Sequence, residues 1–173
     1  MKFIFTFLVL VLTSYHSNAQ SAGKHIGKDL KKIEGQWKGS LTYLDYTSGK
    51  PYAMDADLAV SALTEPYHFA FANIYPGEPN ANSTDTIVVT ADGNYIGSQL
   101  VRSRKELPDG SIEIITEESG KDGNDNKPAN FRHTYTLGKS TFSMKKEVRF
   151  VGEEEWIKRH EYVYRRAVGQ KEK

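Results

Sequence analysis

The sequence predicts an all-β domain, an antiparallel up-and-down barrel of about nine strands with a short N-terminal helical turn. Three observations carry that prediction. From Gly35 onward, β-branched and aromatic residues recur at every second position in nine separate runs, the period of a strand with one buried face. Most joints between runs are short and rich in Gly, Asp, Asn and Pro, the residues that turn a chain back on itself as a hairpin. The length of 173 residues suits one domain that buries its core without staples, and the absence of cysteine removes disulfides, thiolate zinc sites and cysteine nucleophiles. A net charge of +1 makes no field that would draw nucleic acid.

At the start of the chain, Lys2 precedes an apolar run that ends in polar residues, with small side chains at Ser17 and Ala19. Residues 1–19 therefore read as a cleaved signal peptide, since the run falls short of the roughly 20 residues that span a bilayer. No integral membrane span is expected after cleavage. Export without cysteine points to the periplasm of a Gram-negative bacterium or to secretion. Residues 20–27 are read as a flexible leader, 28–167 as the barrel domain and 168–173 as a disordered tail. Lys28 to Ile33 suit one or two helical turns that stop at Gly35. Strands are expected at 37–46, 52–61, 67–73, 84–90, 95–103, 111–117, 131–137, 141–151 and 156–166. Residues 74–83 and 119–130 are the longer loops, placed to frame an opening. Even hairpins favour a closed barrel over a sandwich, whose Greek-key crossings run longer.

Alternation then assigns faces. Phe131, His133, Tyr135 and Leu137 share one side of their strand, and Phe69 and Phe71 share one side of theirs. Phe142, Met144, Val148 and Phe150 share a face with Lys146, an odd polar residue among apolar ones. On the last strand the aromatic face, with Trp156, His160, Tyr162 and Tyr164, is taken as internal together with Lys158 and Arg166. Hydroxyls and imidazoles inside a barrel need partners, which are either one another or a ligand. The candidate ligand-binding set is Tyr43, Phe69, Phe71, Phe131, His133, Tyr135, Phe142, Lys146, His160 and Tyr162. A cavity of several hundred Å³, lined by Phe69, Phe71, Phe131, Tyr135 and Phe142, is expected.

The first strand opens Gly35-Gln36-Trp37-Lys38-Gly39 after a helical turn, and the last ends Tyr164-Arg165-Arg166. This resembles the calycin superfamily of lipocalin-like and fatty-acid-binding barrels. The resemblance implies that Gly35 and Trp37 open the barrel and that Arg165 or Arg166 packs across the indole to close its floor. It departs from fatty-acid-binding members, because His160-Glu161-Tyr162 stands where their Arg-x-Tyr pair holds a carboxylate. The same opening is also similar to that of nitrobindin-like haem barrels, which implies a haem-ligand role for His160.

Other motifs lead to no chemistry. His160-Glu161 lacks the second histidine of a zinc hydrolase, and the run from Asp122 to Asn126 lacks the turn glycine and final acid of a calcium loop. No nucleophile elbow, phosphate loop or dinucleotide fingerprint occurs, so no catalytic residue, metal or cofactor is expected. The cations of the last hairpin alternate between two faces with Glu147 and Glu161 among them, as cross-strand ion pairs do. The expected function is binding of a small hydrophobic or amphipathic molecule inside the barrel. The alternatives are a non-catalytic structural or interaction protein of the cell envelope, and the haem barrel.

Overall fold

The computed structural model describes residues 25–45 and 47–167. The expected signal peptide, most of the leader and the tail lie outside the described residues. Helix α1 spans Ile26–Lys31, and eleven strands follow: β1 (Gly35–Leu44), β2 (Pro51–Asp55), β3 (Asp57–Ala62), β4 (His68–Ile74), β5 (Ser83–Val88), β6 (Tyr95–Ile96), β7 (Gln99–Glu106), β8 (Ile112–Asp122), β9 (Lys127–Leu137), β10 (Thr141–Phe150) and β11 (Ile157–Arg166). Nine expected strands become eleven because two of the runs break. One divides at Ala56, whose N–H still bonds to Gly39, and the other at Gly97, which takes a positive φ of 57°.

All pairings are antiparallel, in the order β5-β4-β3-β1-β11-β10-β9-β8-β7-β6, with β2 beside the outer half of β1. The ends of that row meet at a bridge between Val89 and Ile96, reinforced by the Gly97 N–H on the Val88 carbonyl at 2.7 Å. The result is a near-closed barrel. Closure is confined to one end, since residues 83–87 of β5 pair only with β4.

That end is the floor. Trp37, 1% exposed, donates its indole N–H to the Ile33 carbonyl at 2.8 Å, and the Arg166 guanidinium lies 4.3 Å above its ring. Arg166 also donates to the carbonyls of Lys32, Glu34 and Lys139 at 2.9, 2.9 and 3.1 Å. Two of those acceptors end the helical turn, where unbonded carbonyls otherwise lack partners. Arg165, the other candidate, points outward. Gly39 is required by packing: a Cβ there would stand 2.2 Å from the Val163 carbonyl and 2.7 Å from the Tyr164 ring.

Helix α1 and the turn after it plug the floor with Ile26, Leu30 and Ile33, all fully buried. It begins two residues earlier than expected, so Ile26 and Gly27 belong to the core and not to a leader. Asp29, 2% exposed, meets Arg104 of β7 in a two-bond pair at 2.6 and 3.0 Å, tying the helix to the far wall.

Two further expectations are corrected. Residues 119–130 are not a loop: β8 and β9 pair as far as Asp122 and Lys127, and only a tight turn remains between them. Polar residues line this extension, so it carries no apolar period, yet the backbone ladder continues. On β11 a bulge lets Lys146 face His160 while Glu147 faces Lys158, which skips Arg159. The alternation therefore reverses for the residues that precede His160. Arg166, Tyr164, Tyr162 and His160 face inward as expected, but Lys158 does not, and Trp156 packs outside against Arg132 and Arg149 at 4.2 and 4.7 Å.

Replacing Arg166 with Met strands three carbonyls and uncovers the indole, at a cost of about 2–4 kcal/mol, whereas Arg165→Met stays within about 0.5 kcal/mol. Urea denaturation of the two variants compares them directly. Equal losses would mean that the floor is not held through Arg166.

Candidate functional site

The inner wall is built in rows across neighbouring strands. Tyr164, Phe142, Leu137 and Ile112 make the lowest row on β11, β10, β9 and β8. Phe142 meets Trp37 edge-on at 6.0 Å and stacks on Tyr164 at 5.7 Å, so the floor is filled by rings. Phe69 and Phe142, expected to line a cavity, are 3% and 1% exposed and belong to this packed floor.

The middle row is Tyr162, Met144, Tyr135 and Ile114. Its tyrosines are drawn toward the wall by their hydroxyls. Tyr135 donates to the Gln99 side-chain carbonyl at 2.9 Å, which also accepts from buried Thr116 at 2.6 Å. The Tyr162 hydroxyl meets that of Tyr75 at 2.9 Å, from the segment after β4. Between these rings lies a cavity of about 190 Å³. Phe71, Ile87, Met144, Tyr135 and Tyr162 surround it, Leu30 and Ile96 form its base, and Asn73 and Asp85 border it from β4 and β5. It is smaller than expected, because the floor rings consume the space that alternation alone assigned to a pocket.

Above it, His160, Lys146, His133 and Thr116 make the outer row. His133 Nε2 lies 3.3 Å from Glu118, and the Lys146 ammonium sits 4.1 Å from the centre of the Phe131 ring. Phe131 packs with Ala129 and Val148 in a second apolar cluster, apart from the cavity. His160 meets Tyr162 edge-on at 5.6 Å, and Tyr43 packs on Tyr52 at 5.4 Å. Of the ten candidates, Phe71, Tyr135 and Tyr162 line the cavity, while His133, Lys146 and His160 form one row above it.

Burial governs the titration of this interior. It pushes His160 down to about 4, with Lys146 and His133 adding to the effect. His133 is also lowered, by burial first and Lys146 next, with Glu118 opposing. Both imidazoles are therefore neutral near pH 7. Burial raises Tyr135 to about 12 despite its bond to Gln99, and raises Tyr162 and Tyr164 as well. The Tyr164 hydroxyl is buried with no hydrogen-bond partner among the described residues. These groups offer polar contacts to a bound molecule and no activated nucleophile. Among the described residues no three His, Cys, Asp or Glu side chains gather to hold a metal ion, and no helix is long and apolar enough to cross a membrane.

Sequence reasoning missed Asn73, Asp85, Gln99 and Tyr75. For Asp85 a signal existed: it alternates with Ile87 and Val89, an odd polar residue on an apolar face like Lys146. A second concavity of about 550 Å³ lies beside Trp156 and Arg149 and includes Asn130 and Ser119.

No family model and no curated protein matches the sequence. Among solved structures the chain is similar to Rv2717c from M. tuberculosis, at 14% identity and a TM-score of 0.48, over 81% of this chain and 96% of that one. It is also similar to a protein of unknown function of the DUF3598 family from Nostoc punctiforme, at 10% identity and a TM-score of 0.39, over 80% of this chain and 49% of that one. The barrel rests on its own strand register.

The lowered His160 gives stability a sign. Between pH 6.5 and about 4 the unfolded chain binds a proton that the folded chain refuses, so stability falls as pH drops through that window, by roughly 3 kcal/mol from His160. Urea midpoints at pH 7, 5.5 and 4.5 should fall more steeply for the unaltered protein than for His160→Gln. Parallel slopes would contradict a buried, neutral His160.

Proposed function

We propose that the protein is an exported, calycin-type barrel that binds one small amphipathic molecule inside. The observation that carries this reading is the cavity of about 190 Å³ in the middle of the barrel, apolar on most sides and polar at one edge. A dry protein cavity of about 150 Å³ holds benzene, so this one suits a single ring, a fused pair or a short branched chain. Drug-sized ligands occupy about 300–1,000 Å³, which places long fatty acids and porphyrins beyond it. His160, to which the haem-barrel resemblance gives a ligand role, stands in the row above. The floor of Trp37 and Arg166 supports the calycin reading, and the apolar start of the chain supports export.

Indole is a suitable probe. It should raise the melting temperature in a concentration-dependent way, as any ligand of the folded state does. Met144→Trp, which puts a large ring into the cavity, should abolish that rise, while Ser143→Trp on the outer face of the same strand should keep it. Binding that survives Met144→Trp unchanged would place the ligand elsewhere, and no binding to the unaltered protein would overturn the reading.

A further inference from the structure

The polar edge of the cavity accepts hydrogen bonds and carries negative charge. Asp85 lies on the inner face of β5, opposite Phe71 in the register, where the strand has only β4 as neighbour. Its carboxylate accepts from the Asn73 amide at 3.0 Å, and no ion pair holds it among the described residues. Asn73 spends its amide N–H groups on Ser83 and Asp85, which leaves its carbonyl as an acceptor. The Tyr135 proton is committed to Gln99. Among the described residues no Lys, Arg or His borders the cavity. The inward Lys146 belongs to the row above and rests on the Phe131 ring, and Arg104, near the base, is held by Asp29.

A ligand carboxylate would find no cation here. An ammonium finds a carboxylate, an amide oxygen and the ring faces of Phe71, Tyr135 and Tyr162, which favour positive charge. The one-sided pairing of β5 leaves Asp85 exposed at the polar edge of the cavity. We propose that the cavity selects a small apolar amine, its ring or chain between Phe71 and Met144 and its ammonium at Asp85. This rests on the reading of the cavity as a ligand site.

The test compares three probes of nearly one shape: benzylamine, benzyl alcohol and benzoate, titrated into the purified chain and followed by NMR shifts. Benzylamine should bind on the order of tenfold more tightly than benzyl alcohol, the scale of one hydrogen bond to a charged group. Benzoate should bind most weakly. Asp85→Asn, at an exposed position, should erase the amine's advantage and leave benzyl alcohol unchanged, which also reports an intact fold. An amine no tighter than the alcohol, or an advantage that survives Asp85→Asn, overturns the proposal while leaving the cavity as a site. If none of the three binds, both readings fall.

Discussion

Arg166 and Trp37 meet because the last strand of the chain returns to lie beside the first, and the contact joins three parts of the molecule that are weak apart. A helix of six residues does not persist on its own. Here the carbonyls of Lys32 and Glu34, just past its end, accept from Arg166, its Asp29 is held by Arg104, and its apolar side rests on the floor rings. The first strand gains its register from β11 and β3, and the floor gains a lid. With no disulfide among its bonds, the barrel depends on this packing and on one guanidinium that satisfies three carbonyls at once. A buried ionic pair such as Asp29 with Arg104 is a modest source of net stability, yet removal of one partner is costly, so it specifies how the helix docks.

The tight floor explains the position of the cavity. Trp37, Phe142 and Tyr164 fill the lowest row, so any space must lie above them. In the middle row the hydroxyls of Tyr135 and Tyr162 are tethered to Gln99 and Tyr75, which keeps the rings from closing across the axis. Met144 is the only inward side chain between them on β10. Higher still, the row of His133, Lys146 and His160 is polar but dehydrated enough to keep both imidazoles neutral. The interior thus grades from apolar floor to polar mouth, with the negative edge at Asp85 and the cation Lys146 in different rows.

Much of this was legible because a strand's period is two. Phe131, His133, Tyr135 and Leu137 turn inward together, and Lys146 stands out as polar among Phe142, Met144 and Val148. The Gly-x-Trp opening led to the floor, although only the register chose Arg166 over Arg165. What alternation cannot carry is a change of phase. The bulge at Arg159 sends Trp156 outside, and it arises from backbone pairing that no apolar pattern records. The extension of β8 and β9 has only Ala129 as a buried apolar residue, too little to set a period, and so reads as loop. Cavity volume is harder still, since it depends on whether rings such as Phe69 and Phe142 fill the axis or line it.

Xenon pressurisation of crystals gives the most direct view of that interior, because the atom enters dry apolar cavities. A xenon site among Phe71, Ile87 and Met144, above the Trp37 and Phe142 rings, is the result this architecture predicts. Phe71 and Met144 in contact across the axis, with no xenon inside the barrel, would contradict it.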